Sequence, residues 1–183
     1  MFHLKIDSEL ELRLFDPLHA EVLCVLIEKN RKYLRQWLPW LDLNKGLKDT
    51  QGFIEHSIKE YKEKKSVVTG IWYHNNLVGV ASLVAIDWMH KWTVIGYWIS
   101  EEMQGKGLVT KSSRALIDYA FHDLKLNRVE IRCATENQKS RAVIERLGLK
   151  KEGVKRQMEW LYDHFVDALV YSVLAKEWIA ERS

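Results

Sequence analysis

The chain has 183 residues, of which 47% are hydrophobic and 29% are charged. These fractions are typical of a folded domain with a sizeable core, and they exclude a disordered or collagen-like chain. The formal net charge of +3 is too small to indicate nucleic acid or an anionic membrane surface as a partner. The longest apolar stretch, residues 77–86, falls short of the roughly 20 residues of a membrane-spanning helix.

The first residues of the chain and its two cysteines bear on cellular location and redox chemistry. Residues 1–5 lack a basic segment followed by a long apolar run, so we expect no export and a cytoplasmic protein. Cys24 and Cys133 are too few for a disulfide framework or a cysteine-rich zinc site, and both are predicted to be buried thiols. No linker or composition break divides the chain, so residues 1–183 are expected to form one domain.

The first third of the chain predicts one strand and two helices. Alternating leucines favour a half-buried strand over residues 9–15. A second helix is expected to start near Asp49. The first helix, ending near Asn30, is predicted from apolar residues at helical spacing: Leu18, Val22, Val25 and Leu26.

A segment with two tryptophans lies between these helices. Trp37 and Trp40 flank Pro39. Such a segment fits either a lid over a ligand cleft or a loop pinned to the core, and the sequence leaves both interpretations open.

From residue 66 onward the pattern changes to short runs rich in valine, isoleucine and aromatic residues. Strands are predicted at residues 67–73, 77–86, 92–99, 128–134, 149–160 and 165–175. Helices are predicted from Leu108 to Leu124 and around Val143 to Leu147, the latter closed by Gly148. The chain therefore predicts an α+β fold with a mixed, mostly antiparallel sheet of about seven strands and about four helices.

The most informative segment runs from an apolar strand through a glycine-bearing turn straight into a helix. Gly105 and Gly107 occupy the turn, and the helix is expected to start at Leu108. Backbone amides at a helix start lack intrahelical partners, so this turn is suited to a phosphate group. No glycine stands five positions before Gly105, which excludes a P-loop, and Thr110 stands where a dinucleotide fingerprint needs glycine.

Two motifs together resemble the GCN5-related N-acetyltransferase (GNAT) superfamily. Gln104-x-x-Gly107 resembles its acetyl-CoA pyrophosphate signature, although Val109 replaces the usual last glycine or alanine. Residues 137–153 resemble its second CoA motif, with Leu149 in place of phenylalanine. The similarity covers roughly residue 9 to the carboxyl terminus and is strongest to ribosomal-protein N-terminal acetyltransferases of the RimJ/RimL type.

The resemblance implies a GNAT fold and acetyl-CoA as co-substrate. In this family a strand splays from its neighbour and frees backbone groups for the pantetheine chain, while the turn holds the pyrophosphate. The implied acetyl-CoA-binding residues are Trp98, Ile99, Ser100, Gln104, Gly105, Lys106, Gly107, Leu108, Val109, Thr110 and Asn137. Asn137 is also predicted to cap its helix.

Two catalytic residues are assigned by position. Ser140 lies one helical turn after Asn137, where the family often places a hydroxyl near the CoA sulfur, and it is predicted to be the general acid. Glu159 is predicted to be the general base, because Met158 and Trp160 could desolvate its carboxylate and raise its pKa. A water relay to the base, or Glu101 or Glu102 as the base itself, are the alternatives. No metal is predicted, since the histidines lack ligand-pair spacing.

The expected reaction is acetyl transfer from acetyl-CoA to an amine by direct attack in a ternary complex. The favoured acceptor is the N-terminal α-amino group of a protein, in particular a ribosomal protein. A small amine such as a polyamine, an amino acid or an aminoglycoside is a second possibility, and a non-catalytic acyl-CoA-binding module is a third. A homodimer is expected from the resemblance.

Overall fold

The computed structural model describes the backbone of residues 2–180 and the side chains of residues 2–178. The strands are β1 (His3–Lys5), β2 (Leu10–Leu14), β3 (Val67–Tyr73), β4 (Asn76–Asp87), β5 (Trp92–Ile99), β6 (Arg128–Ala134), β7 (Lys150–Leu161) and β8 (His164–Leu174). The helices are α1 (Ala20–Leu34), α2 (Leu47–Lys62), α3 (Leu108–His122), α4 (Gln138–Arg146) and α5 (Ala175–Ala180). No helix within this part of the chain is long and apolar enough to span a bilayer.

The predicted α+β class is confirmed, with one more strand and one more helix than expected. Within residues 2–180, eight strands form one sheet in the order β1-β2-β3-β4-β5-β6-β8-β7. All neighbours are antiparallel except β5 and β6. The additional strand is β1, which pairs with β2, and the additional helix is α5, which begins at Ala175, where the last strand was expected to end.

The sheet is covered on both faces because its strands alternate between two apolar clusters. Ile71 and its neighbour Trp72 belong to different clusters, as expected for successive residues of a buried strand. One cluster includes Leu116 of α3, and the other includes Leu23 of α1 and Ile54 of α2. The fold is therefore a sheet between two helical layers.

Helix α1 exists as predicted, but the sequence pattern indicated mostly the wrong face. Leu18, Val22 and Val25 are 89%, 41% and 66% exposed, whereas Leu23 and Ile27 are buried. Both sets have helical spacing, so spacing alone could not choose between them. Packing against the sheet decided the orientation.

The parallel pair β5–β6 separates before either strand ends. Their pairing runs only from Trp92–Arg128 to Ile95–Ile131, although β5 continues to Ile99 and β6 to Ala134. This split opens the sheet along one side of the last four residues of β5, which leads directly into the glycine turn.

Candidate active site

Two cavities lined by the described residues meet where β5 and β6 diverge. The larger, of about 920 Å³, is lined by the glycine turn, the first turns of α4, and Tyr33. The smaller, of about 540 Å³, is lined by residues of α2, the Trp37–Trp40 segment and Glu159. Six residues line both cavities: Trp37, Leu38, Tyr97, Trp98, Asn137 and Ser140. One cavity could hold a donor and the other an acceptor, with Ser140 at their junction.

The glycine turn faces the larger cavity as predicted and presents unpaired amides. Gly105 and Gly107 have φ angles of +76° and +72°, a region that favours glycine, and open space surrounds both. Gly107 precedes α3 without a side-chain cap, and the first intrahelical bond runs from the Lys111 amide to the Gly107 carbonyl. Within residues 2–180, the amides of residues 105–110 have no hydrogen-bond acceptor. This concentration of free donors at a helix start suits a diphosphate.

The Gln104 amide is bonded differently from those six. It donates to the Glu101 carbonyl at 3.3 Å. The Gln104 side chain lies in the larger cavity, where its Oε1 accepts from Lys139 Nζ at 2.7 Å. Gln104 therefore joins the turn to α4.

A cation that the sequence analysis did not single out lies beside the turn. Arg146, in the last turn of α4, lines the larger cavity and donates to Thr110 Oγ1 at 3.3 Å. The nearby lysines point elsewhere: Lys106 Nζ of the turn lies 3.5 Å from Met103 Sδ, and Lys111 of α3 pairs with Asp7 at 2.8 Å. The signal for Arg146 was its place in the second CoA motif, directly before Leu147 and Gly148.

The open edge of β5 exposes main-chain groups of alternate residues. The Ser100 amide donates to the Val78 carbonyl of β4, whereas the Lys91 carbonyl accepts from the amides of residues 127 and 128 at the start of β6. Strand alternation then directs the main-chain groups of Tyr97 and Ile99 towards the gap. The resemblance implies that Trp98, Ile99 and Ser100 contact the pantetheine chain. Ile99 offers its main chain at the gap, Trp98 lines the larger cavity, and Ser100 is buried with its hydroxyl unpartnered among the described residues.

Ser140 is held at the cavity junction by a cap and by a tyrosine. Asn137 Oδ1 accepts from the Ser140 amide at 3.1 Å, which confirms the predicted cap. Tyr97 Oη lies 2.9 Å from Ser140 Oγ and 3.2 Å from the Ser140 carbonyl oxygen. Burial raises the pKa of the Tyr97 phenol well above its usual range, so this group stays protonated.

Cys133 lies in β6 and lines the smaller cavity together with Ser140. It is buried as predicted, while Cys24 is only partly buried. Burial raises the pKa of the Cys133 thiol. Because the thiolate is the reactive form of cysteine, this group is a weak nucleophile at neutral pH.

Glu159 lines the smaller cavity, but its surroundings differ from those expected. The β7–β8 register shifts between Lys155 and Glu159. Glu159 is exposed, and Met158 and Trp160 are themselves 42% and 52% exposed. Successive side chains of a strand point to opposite faces, so these neighbours do not enclose the carboxylate. The expected desolvation was therefore wrong, while the role of Glu159 as base stays a prediction.

The two-tryptophan segment is both pinned to the protein and part of the cleft. Leu41 is fully buried, and the Leu38 carbonyl accepts a hydrogen bond from Tyr162 Oη. The Arg35 guanidinium lies 3.7 Å from the centre of the Tyr162 ring. Trp37 lines both cavities and Trp40 the smaller. The hairpin that carries Glu159 is thus fastened to the opposite wall.

The competing carboxylates lie outside this arrangement, whereas His56 of α2 lines the smaller cavity. Glu101 and Glu102 are exposed and line neither cavity; Glu102 pairs with Lys29 at 3.0 Å. Across the described residues, no group of three or more histidine, cysteine, aspartate or glutamate side chains could hold a metal ion.

The geometry combines a split sheet, a glycine turn with free amides and two adjoining cavities, an arrangement that suits a transferase with two substrates. The family comparison is specific. The model of the family described as "Acetyltransferase (GNAT) domain" matches residues 9–150, and the chain belongs to the GNAT family. It is an acetyl-CoA-dependent N-acetyltransferase.

Related proteins match over nearly the whole chain. YdaF of Bacillus subtilis (strain 168) is 38% identical over 184 residues, covering 100% of both chains. The ribosomal-protein-serine acetyltransferase of Escherichia coli (strain K12) is 30% identical over 169 residues, covering 92% of this chain and 94% of that protein. A solved structure of RimL, a ribosomal L7/L12 alpha-N-protein acetyltransferase in complex with coenzyme A, has a TM-score of 0.92 at 29% identity and covers 94% of this chain and 98% of that one.

Proposed function

We propose that this acetyltransferase modifies the N-terminal α-amino group of a ribosomal protein. The observation that carries the proposal is the meeting of the two cavities at Ser140, with Glu159 on the acceptor side. The similarity to a ribosomal-protein-serine acetyltransferase and to RimL supports the choice of acceptor. A ribosomal acceptor would also place the protein in the cytoplasm. The expected homodimer stays a prediction that light scattering would check.

The donor would lie along the larger cavity. The free amides of residues 105–110 would hold the diphosphate, with Arg146 beside them. The open edge at Tyr97 and Ile99 would bond the pantetheine amides, with Asn137 near the same arm. Acetyl-CoA supplies an activated acetyl thioester when bound.

Ser140 and Glu159 would act on opposite sides of the reacting carbonyl. Glu159 would take a proton from the acceptor ammonium, and Ser140 would donate a hydrogen bond to the departing sulfur. The protonated Cys133 thiol would not compete with the amine, which favours direct transfer without an acyl-enzyme. In the RimL complex a disulfide joins CoA to a cysteine of that protein. A CoA sulfur beside Cys133 here would also lie near Ser140.

A steady-state assay of thiol release tests the proposal. The purified protein would receive acetyl-CoA with peptides that carry free N-termini, the same peptides with blocked N-termini, and a panel of small amines. We expect release with free N-termini, and mass spectrometry should locate the acetyl group on the α-amine. If a polyamine, an amino acid or an aminoglycoside is turned over faster than the peptides, the acceptor is a small amine and not a protein N-terminus. Tight CoA binding without turnover of any acceptor would favour the binding-module alternative.

A further inference from the structure

The contact between Tyr97 and Ser140 joins the strand that faces the gap to the helix that caps it. Tyr97 lies on β5, and Ser140 lies in the first turn of α4. Tyr97 Oη is 2.9 Å from Ser140 Oγ and 3.2 Å from the Ser140 carbonyl oxygen. Both residues line both cavities, so the contact lies where the reacting groups would meet.

The hydrogens of this contact can be arranged in two ways. Each hydroxyl has one hydrogen and can also accept, whereas a carbonyl oxygen only accepts. If Tyr97 donates to the Ser140 carbonyl, the short contact requires Ser140 to donate to Tyr97, and the serine hydrogen is used up. If Tyr97 donates to Ser140 Oγ, the serine hydrogen can point into the cavity or to the Cys133 sulfur, which also contacts Ser140.

We propose that Tyr97 is a positioning residue that donates to Ser140 Oγ in the donor complex and thereby directs the serine hydrogen to the CoA sulfur. The inference rests on the proposed function, because it needs CoA in the larger cavity. Burial keeps the phenol protonated, so Tyr97 is a permanent donor. A serine hydroxyl is a far weaker acid than a thiol, so its useful contribution is a directed hydrogen bond that stabilises the departing thiolate.

Other charged and titratable groups near the contact could also act on a bound thiol. They come from α1, α2, β6, α4 and β7: Tyr33, His56, Glu60, Arg132, Cys133, Lys139, Arg141, Glu145, Arg146 and Glu159. None of them is altered by removing the Tyr97 hydroxyl, so Tyr97→Phe isolates the contact while it keeps the buried ring.

The experiment titrates the thiol of CoA bound to the protein by its ultraviolet thiolate absorbance. The complex with desulfo-CoA serves as the blank, which removes the signals of Cys133 and of the tyrosines. We expect the thiol pKa of bound CoA to rise by about one pH unit in Tyr97→Phe, the size typical of one hydrogen bond to a charged group. Ser140→Ala should give a similar rise. In the double variant the thiol pKa should rise no more than in the single variant with the larger rise, because both substitutions remove the same hydrogen bond.

Turnover provides an independent readout in the same variants. Acetyl transfer by Tyr97→Phe should fall about tenfold in kcat, while the Kd for CoA stays within about twofold. Tyr119→Phe is the matched control and should leave both quantities unchanged. The Tyr119 ring packs on Phe2, the residue before β1, and Tyr119 lines neither cavity.

The possible failures can be told apart. If the pKa of the bound CoA thiol is the same in both single variants as in the wild type, and the wild type transfers acetyl groups, the inference is overturned and the proposed function is not. Additive effects of Tyr97→Phe and Ser140→Ala would also overturn it, because the two groups would then act separately. If Tyr97→Phe does not fold, an unchanged thiol pKa in Ser140→Ala alone is sufficient to reject it. No CoA binding by the wild type would overturn both the inference and the proposed function.

Discussion

Arg146 of α4 lines the larger cavity and contacts Thr110 in the first turn of α3. Replacing it by glutamine removes a charge next to the site proposed for the diphosphate. We expect Arg146→Gln to raise the Kd for CoA at least about tenfold, because charge-assisted hydrogen bonds to phosphate are strong. Isothermal titration at two salt concentrations measures this, and the salt dependence should weaken in the variant.

Arg141 supplies the matched control for that experiment. It lies on the same helix but pairs with Glu145 at 2.8 Å and does not line the larger cavity. Arg141→Gln should bind CoA like the wild type. Equal affinities for all three proteins would show that Arg146 does not contact the donor.

Glu159 lends itself to a test by pH. A carboxylate base is needed only while the acceptor amine is protonated, so Glu159→Gln should lower kcat/KM about a hundredfold at neutral pH and much less at high pH. The profile of kcat/KM against pH measures the difference. Glu102→Gln, which removes an exposed carboxylate bonded to Lys29, is the control. If Glu159→Gln lowers kcat/KM by the same factor at every pH, Glu159 is not the general base.

At the scale of elements, the close approach of β4 and β5 depends on Gly79. A Cβ atom there would lie 2.4 Å from the Trp98 carbonyl oxygen and 2.9 Å from Ile99 Cα, both backbone atoms that cannot turn away. Gly79→Ala should therefore lower the free energy of unfolding by about 1–3 kcal/mol, measured from urea transitions. It should also weaken CoA binding, since Trp98 and Ile99 border the donor cavity.

Gly153 of β7 is the control for this substitution. A Cβ atom there would meet nothing within 4 Å. Gly153→Ala should change the urea midpoint little. A midpoint for Gly79→Ala as high as that of Gly153→Ala would mean that β4 and β5 can separate at no cost.

The elements show what the sequence could and could not predict. Strands β3, β5 and β6 have the predicted bounds, because dense β-branched and aromatic runs end at clear turns. Strand β1 was missed because it has three residues, of which two are exposed and only Leu4 is partly buried, and so carries almost no periodic signal. Asn30 ends no helix: it is buried within α1, and its side chain bonds the Leu26 carbonyl and the Glu101 amide, a tertiary contact that no local pattern contains.

The site divides in the same way. The glycine turn and the Asn137 cap depend on neighbouring residues, so the sequence predicts both. The contacts of Ser140 with Tyr97, and of Thr110 with Arg146, join residues 43 and 36 positions apart. Such pairs form only when the sheet brings two separate elements together.

For the molecule as a whole, acid should weaken the sheet through a carboxylate that joins three strands. Glu152 of β7 accepts from Arg128 of β6 at 2.5 and 2.6 Å and from Ser172 of β8 at 2.6 Å. The hydrogen bonds from Arg128 and then Ser172 lower the pKa of Glu152 to about 2. A lowered folded-state pKa contributes stability that is complete above the unfolded-state value and is lost as the pH falls through about 2.

The free energy of unfolding should therefore decrease between about pH 5 and pH 2 in the wild-type protein. Glu152→Gln should be less stable at neutral pH and should lose less over the same interval. Urea titrations at a series of pH values measure both slopes. Asp7, bonded to Lys111 and with a pKa also lowered to about 2, adds a decrease of the same sign that both proteins share. Identical slopes would show that Glu152 makes no net contribution.

The split between β5 and β6 leaves an interior edge in the middle of the sheet. Within residues 2–180, no strand lies beside the main-chain groups of Tyr97 and Ile99 there, and an unpaired edge is ordinarily a place where foreign peptide can add. An extended chain of amides lying in that gap would act as a surrogate strand, complete the hydrogen bonding of the sheet and join its two halves across the opening. The pantetheine arm has that character, so the donor would serve as a removable piece of the architecture as well as a reactant.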